Sequence, residues 1–147
     1  MNTYKVTVDD EGNTKWYNSK DEHHRIGGPA IEYANGNKWW YLEGKLNRTD
    51  GPAIDLFYGE KRWFIEGNLH REDGPAIECA DESKFEYKAG KLHREDGPAC
   101  EWYHGNKAWY LEDKYYSESE YNKKMNIYPY EEKMVEIEGK KYKLIGA

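Results

Sequence analysis

The sequence predicts a mainly β protein: a single-layer, curved antiparallel array of β-hairpin repeats, followed by a short C-terminal helix and a terminal hairpin. Three observations support this fold class. Gly-Pro-Ala triplets begin at Gly28, Gly51, Gly74 and Gly97, each 23 residues after the last. The stretches between the triplets are rich in aromatic and β-branched residues. Mean hydropathy is only -1.16, too low for a large globular core. A fixed period of this length indicates repeats that bury apolar surface against their neighbours.

Each repeat is predicted to form one hairpin. In the first repeat, a strand over residues 30–34 is followed by a turn at Asn35-Gly36 and by a second strand over residues 38–43. Two β-rich runs around Asn-Gly are typical of a hairpin. We interpret the next residues, 44–46, as the lead into the following Gly-Pro-Ala turn. The third repeat has Asp81-Glu82 at its turn and no glycine there, which predicts the loosest turn of the four.

A related four-residue segment, here called a tetrad, precedes each triplet. The tetrads are His24-Arg25-Ile26-Gly27, Asn47-Arg48-Thr49-Asp50, His70-Arg71-Glu72-Asp73 and His93-Arg94-Glu95-Asp96. We expect the aspartate to cap the backbone of the turn, and the arginine to pair with that aspartate or with an acid of the neighbouring unit. We expect the glycine before proline to relieve the steric restriction that proline imposes on its predecessor. The first tetrad ends in Ile-Gly and has lost its cap.

Aligned repeats give columns of equivalent residues, and side chains alternate between the two faces of a strand. The columns assigned to the buried face are Ile31, Ile54, Ile77 and Cys100; Tyr33, Leu56, Cys79 and Trp102; and Tyr41, Phe64, Tyr87 and Tyr110. The opposite face carries Trp40, Trp63, Glu86 and Trp109, beside Leu42, Ile65, Lys88 and Leu111. Because the third repeat has charges at both positions, we interpret this face as the solvent-facing one. The alternative is a second, partly covered core.

The chain divides into an array over residues 1–116 and a C-terminal segment over residues 117–147. Within the array, residues 1–22 form a degenerate N-terminal cap and residues 23–116 form the repeats. Ser117 and Glu120 form a capping box that predicts a helix to about Asn126, ending before Pro129. Tyr121 and Met125 share one helix face and could cover the last hairpin. Alternating residues over 135–144 predict a separate hairpin around Gly139.

The sequence contains no recognisable catalytic or metal-binding constellation, so we expect neither an enzyme nor a cofactor. The recurring histidines are interpreted as structural spacers, and no His/Cys cluster has zinc-ligand spacing. His104 and the C-terminal hairpin are the only unrepeated places where an enzyme site could lie. Cys79 and Cys100 predict two buried thiols in a reducing compartment. No apolar run reaches the length of a membrane span, and the N-terminus has no signal-peptide core, which predicts a cytoplasmic protein.

The repeat resembles the MORN family (membrane occupation and recognition nexus), and more closely a variety frequent in bacteriophage proteins. The residues that carry this resemblance are Trp40-Tyr41-Leu42-Glu43-Gly44-Lys45, residues 69–76 (Leu-His-Arg-Glu-Asp-Gly-Pro-Ala) and residues 92–99. The likeness covers about residues 12–116. It implies an extended run of hairpins that serves as a scaffold or a protein- or lipid-contact surface. The Arg-x-Asp-Gly-Pro turn departs from the usual MORN Gly-x-Gly, which argues against a lipid role.

These observations predict a non-catalytic protein that binds a protein partner. The predicted contact residues are Trp40, Trp63, Trp109, Leu42, Ile65, Leu111, Arg48, Arg71 and Arg94, because aromatic residues and arginine dominate interface energetics. The phage resemblance implies a partner in the host bacterial cytoplasm, for example a defence component that the protein inhibits. Open sheet edges could also pair two copies into a homodimer.

The alternative function is binding of single-stranded nucleic acid or a nucleotide. Lys38, Lys61, Lys84 and Lys107 form a column beside the tryptophans, and such binders combine basic grooves with stacking rings. The net charge of -6 and nearby glutamates argue against it.

Overall fold

The computed structural model describes residues 3–127 and 134–143. In chain order its elements are β1 Lys5–Val8, β2 Thr14–Tyr17, β3 Ile31–Glu32, β4 Lys38–Trp39, β5 Tyr41–Leu42, β6 Lys45–Leu46, β7 Ile54–Asp55, β8 Lys61–Arg62, β9 Phe64–Ile65, β10 Asn68–Leu69, β11 Ile77–Glu78, β12 Lys84–Phe85, β13 Tyr87–Lys88, β14 Lys91–Leu92, β15 Cys100–Glu101, β16 Lys107–Leu111, β17 Lys114–Tyr116, α1 Glu118–Lys124, β18 Met134–Ile137 and β19 Lys140–Lys143.

The predicted fold class is confirmed: the protein is mainly β and is organised around one open antiparallel sheet. This sheet has 11 strands in the order β1-β2-β3-β4-β7-β8-β11-β12-β15-β16-β17. Each repeat adds one hairpin to it, and each hairpin pairs with the next through the same register. Trp39, for example, lies opposite Ile31 of its own hairpin and opposite Ile54 of the next. The 23-residue period therefore corresponds to two added strands.

Each of the first three repeats also contains a second short hairpin, which differs from the single hairpin predicted for each repeat. Strand β5 pairs with β6, β9 with β10 and β13 with β14. The predicted continuous strand over residues 38–43 is wrong, because it breaks at Trp40. The Trp40 N–H donates to the Ala53 carbonyl across the main sheet (2.8 Å), whereas its carbonyl accepts from the Asn47 N–H within the second hairpin (3.0 Å). The column headed by Trp40 therefore lies where the chain changes from one hairpin to the other.

The most buried column is the alanine of the Gly-Pro-Ala triplet. Ala30, Ala53, Ala76 and Ala99 are each 0% exposed. Beside them, the isoleucine column is buried or half-buried, and the Tyr33 and Tyr41 columns are half-buried. Rings of Tyr33 and Tyr41 both pack near Trp39, at 5.4 and 6.3 Å between centroids. The predicted buried face is thus a thin layer of methyl groups and rings.

The turn of the third repeat closes in the same way as the other three. The Glu82 N–H donates to the Cys79 carbonyl at 3.0 Å, compared with 2.9 Å for the bond from Gly36 to Tyr33. Glu82 adopts the positive φ (72°) that glycine has in the other repeats. The hydrogen bonds therefore give no support to the expectation of a looser turn.

Helix α1 begins with the predicted capping box. The Glu120 N–H donates to the Ser117 hydroxyl, and the Glu120 carboxylate accepts from the Ser117 N–H. The helix ends at Lys124, with Met125 as its C-cap, slightly before the predicted end; Pro129 lies outside the described residues. The helix packs against β16 and β17, and Tyr121 is 0% exposed.

The predicted C-terminal hairpin is present as β18 and β19, which pair around the turn at Glu138-Gly139. Leu144, at the end of the predicted hairpin, lies outside the described residues. Among the residues that the structure describes, no helix has both the length and the apolar character of a membrane span.

Candidate functional site

An arginine covers a tryptophan in the same way in three units. The Arg48 guanidinium carbon lies 4.0 Å from the centroid of the Trp40 ring, and Arg71 lies 4.0 Å from Trp63. Arg25 of the first tetrad stacks at the same distance on Trp16 of the N-terminal cap. A guanidinium over an indole face is attracted by the ring's quadrupole. Two of the predicted tryptophans, Trp40 and Trp63, therefore contact a predicted tetrad arginine.

The arginines of the second, third and fourth tetrads are each held by the aspartate of the same tetrad and by the carbonyl of the following proline. Arg48 donates from Nε to Asp50 (2.7 Å) and from Nη1 to the Pro52 carbonyl (3.1 Å). Arg71 and Arg94 make the same two bonds, to Asp73 and Pro75 and to Asp96 and Pro98. The expected arginine–aspartate pairing is confirmed. The aspartate holds the arginine, whereas a cap on the turn backbone was the predicted role.

The glycine before proline makes room for this guanidinium. A Cβ built on Gly51 would lie 2.8 Å from the Arg48 guanidinium carbon. At Gly97 the corresponding distance to Arg94 is 3.2 Å. Neither glycine has a positive φ. The lack of a side chain is therefore used here for close approach, in addition to the steric relief expected before proline.

The tetrad carboxylates are held in their charged form. The hydrogen bond from Arg48 and its positive charge lower the pKa of Asp50 below its ordinary value. The same two causes lower the pKa of Asp73 and of Asp96. The tetrads therefore present a fixed, alternating set of positive and negative groups to solvent.

The third repeat replaces the ring by a carboxylate. Arg94 Nη1 lies 3.7 Å from Glu86 Oε1, where Arg71 has the Trp63 ring. The Glu86 side chain is only 17% exposed. Burial raises the pKa of Glu86, and the nearby Arg94 charge opposes that rise. One guanidinium position therefore accepts either an aromatic ring or an acid as its partner.

Consecutive tetrads enclose a row of open grooves. The first groove lies between the tetrads of Arg25 and Arg48, with Trp40 and Leu42 in its lining, and has a volume of about 550 Å³. The second groove lies between the tetrads of Arg48 and Arg71, with Trp63 and Ile65, and has a volume of about 750 Å³. The third groove, of about 470 Å³, is lined instead by Glu86 and Lys88.

A fourth position in this row is covered by helix α1. The Tyr121 hydroxyl donates to the Arg94 carbonyl (2.8 Å) and accepts from the Gly97 N–H (3.2 Å), both of which belong to the turn of the fourth repeat. The helix packs on β16, the strand that contains Trp109 and Leu111. Leu111 is accordingly 8% exposed, whereas its equivalent Leu42 is 39% exposed.

The nine predicted contact residues therefore separate into three groups. Trp40, Leu42, Trp63 and Ile65 line the two apolar grooves, together with Arg48 and Arg71. Arg94 lies on the charged third groove. Trp109 and Leu111 lie in the strand that α1 covers, so the expectation of an exposed Leu111 is wrong because the chain's own helix buries it.

The first tetrad residue caps the second hairpin of its neighbour. His70 Nδ1 accepts from the Ala89 N–H at 3.0 Å, and His93 Nδ1 accepts from the Glu112 N–H at 3.2 Å. Asn47 uses its side-chain oxygen in the same way toward the Glu66 N–H. An asparagine can replace histidine here because both supply one acceptor at this position. This geometry matches the interpretation of the histidines as structural spacers.

Acids oppose every member of the lysine column. Lys38 lies opposite Glu32 and Asp55 in register, Lys61 opposite Asp55 and Glu78, and Lys84 opposite Glu78 and Glu101. Lys107 lies opposite Glu101. Opposite charges facing each other across strands stabilise a sheet. The column is therefore one half of an alternating charged row, here called the charge row, with no excess of positive charge.

The two cysteines do not form a reactive site. Both are free; Cys100 is buried, and Cys79, predicted to be buried, is half-buried. Burial raises the pKa of the Cys100 thiol to about 11, so the thiol is protonated at neutral pH. Over residues 3–127 and 134–143, no group of three or more His, Cys, Asp or Glu side chains is arranged to hold a metal ion.

Comparisons with protein-family models, with curated proteins and with solved structures found no match for this chain.

Proposed function

We propose that the protein is a non-catalytic binding array that holds a protein partner in its first and second grooves. The observation that supports this most directly is the stacking of Arg48 on Trp40 and of Arg71 on Trp63. Each stack sits beside an aliphatic residue in an open groove. Preorganised aromatic and arginine side chains lose little conformational freedom on binding, which makes them effective contacts.

The third repeat supports a binding role for the tryptophans. Its Glu86 and Lys88 occupy the positions of Trp63 and Ile65, and the surrounding strands and turns keep the same form. The fold therefore does not require apolar residues at these positions. Half-exposed tryptophans that the fold does not require are best accounted for by a partner.

The resemblance to phage repeats extends this proposal to the partner's origin. On that resemblance alone, we propose a bacterial host protein, such as a defence component whose activity the array inhibits.

The test is capture from bacterial lysate with a set of variants that copy the third repeat. In the test variant, Trp40→Glu, Leu42→Lys, Trp63→Glu and Ile65→Lys give the first and second grooves the chemistry of the third. In the control variant, Phe57→Ser and Tyr103→Ser remove exposed rings at the hairpin turns. We expect wild type and control to retain the same partner and the test variant to lose it. Equal retention by all three proteins, or no specific partner at all, would refute the proposal.

The alternative function is binding of single-stranded nucleic acid. The stacked rings favour it, but the acids opposite Lys38, Lys61, Lys84 and Lys107 cancel the positive charge on which it depends. Titration with a mixed-sequence single-stranded oligonucleotide at low salt tests it directly. Quenching of tryptophan fluorescence that weakens steeply with added salt would favour this alternative over the protein partner.

A further inference from the structure

We infer that the second groove receives a tyrosine carried on a short helix of the partner, in the way that the fourth position receives Tyr121 of α1. This inference rests on the proposed function, because it specifies what the partner inserts. Tyr121 is the one side chain larger than alanine that is 0% exposed among the described residues. Its hydroxyl joins a carbonyl and an N–H of one tetrad turn.

The second groove offers the same pair of backbone groups. The groups equivalent to the Arg94 carbonyl and the Gly97 N–H are the Arg48 carbonyl and the Gly51 N–H. Over the described residues, neither of these two groups takes part in a hydrogen bond within the chain. Both turns have the same conformation around the arginine, with Nε–aspartate distances of 2.7 Å and Nη1–carbonyl distances of 3.1 and 3.3 Å. The Gly51 N–H and the Arg48 carbonyl can therefore donate to and accept from one hydroxyl group.

The apolar lining of the second groove matches the fourth position, although Arg71 also stacks on Trp63 in the second groove and Ser117 stands at the equivalent place in the fourth. Trp63 and Ile65 are equivalent to Trp109 and Leu111, which lie in the strand that α1 covers. The third groove differs, because Glu86 and Lys88 would meet an apolar helix face with charges. The first groove has the apolar lining, but its tetrad carries Ile26 and Gly27 in place of the acids, and Gly27 has a positive φ of 78°. The second groove is the closest copy of the occupied position.

The chemistry of the expected ligand follows from the bonds of Tyr121. A phenol supplies one donor and one acceptor on a rigid ring, and the ring provides apolar contact below the hydroxyl. Phenylalanine would leave the Gly51 N–H and the Arg48 carbonyl without partners while excluding water from them. That loss is expected to weaken binding by about tenfold.

The test uses the intact chain and a peptide with the sequence of residues 115–127. Because isolated helices of this length are marginal, a hydrocarbon staple joins positions 119 and 123, both exposed in α1. Amide resonances of the ¹⁵N-labelled protein are followed during the titration. We expect a saturable shift at Gly51, little change at Gly74 of the charged groove, and none at Gly97, whose N–H is already bonded to Tyr121.

Two controls give the titration its specificity. A peptide with Tyr121→Phe should bind about tenfold more weakly. A protein with Ile65→Lys, which copies Lys88, should lose the Gly51 shift while keeping its dispersed spectrum. The inference is overturned if Gly51 does not shift with up to about 1 mM peptide, a range in which even a dissociation constant of about 1 mM is detectable. It is also overturned if the phenylalanine peptide binds equally well, or if Gly74 or Gly97 shifts in place of Gly51.

The two proposals can fail separately. Loss of a lysate partner from the groove variant, together with no Gly51 shift, would keep the binding array and reject the tyrosine-bearing helix. A Gly51 shift without any lysate partner would keep the tyrosine-binding second groove and reject the proposed protein partner.

Discussion

The second and third grooves differ in three lining side chains: the second has Thr49, Trp63 and Ile65 where the third has Glu72, Glu86 and Lys88. Arg71 stacks on Trp63 in one, and Arg94 faces Glu86 in the other, yet both arginines keep their bonds to the following aspartate and proline carbonyl. The tetrad therefore fixes the guanidinium, and the residue beneath it is free to vary. The comparison separates what the array needs in order to fold from what its surface offers to a partner.

Substitutions in the buried alanine column, which lies beneath both grooves, should have the largest effect on the free energy of unfolding. Ala76→Leu is expected to lower the free energy of unfolding by about 1–3 kcal/mol, because the alanine is fully buried and three added carbons must displace neighbouring strands. The matched control is Ala80→Leu at an exposed turn position, expected to change little. Chemical denaturation of both variants measures the difference. Equal stability of the two would show that the alanine column is not the tightly packed core.

Exchanging the residue that faces the arginine, Trp63 in one groove and Glu86 in the other, should have an intermediate effect on the free energy of unfolding. Glu86→Trp is expected to raise the free energy of unfolding by about 1 kcal/mol, since it removes a half-buried carboxylate and allows a stack on Arg94. Trp63→Glu should lower it by a similar amount while leaving the β-sheet circular dichroism unchanged. Denaturation curves of the two variants give both values. Loss of folding in Trp63→Glu would mean that the two grooves do not share an interchangeable frame.

The smallest expected effect is a dependence on pH that comes from Glu86 of the third groove. Burial raises the pKa of Glu86, so folding favours the protonated carboxyl and the charged form weakens the fold. Glu86→Gln should therefore match wild type below the ordinary pKa of about 4.5 and become the more stable protein as pH rises through the folded-state pKa. Thermal melts from pH 4 to about pH 7 measure this difference. A gap that narrows with rising pH would contradict the assignment.

The sequence predicts the fold because each repeat carries the same signals for a hairpin. The 23-residue spacing, the Asn-Gly turn and the alternating Ile31 and Tyr33 predicted the main sheet and its buried face. The second hairpins differ from the predicted linker at residues 44–46 because Glu43-Gly44 is itself a two-residue turn with positive φ at both residues. That signal was available in the sequence.

The site was predicted less completely. Trp40, Trp63 and the tetrad arginines are predicted as partner contacts, but the sequence does not indicate that they stack, because a contact between residues eight apart follows neither the strand period nor the repeat period. The burial of Leu111 was also missed. Although the sequence analysis expected Tyr121 to cover the last hairpin, the side on which the helix packs depends on the Arg94 and Gly97 backbone groups, which no residue type indicates.

The charge row has a consequence for how the array unfolds. Lys38 faces one acid inside its own hairpin and another in the following unit, and Lys61 and Lys84 do the same. The strand register and the alternation of charge across the boundary between units are thus the same as within them. Residues 31–107 should for this reason melt cooperatively, in a single transition, rather than peel away unit by unit.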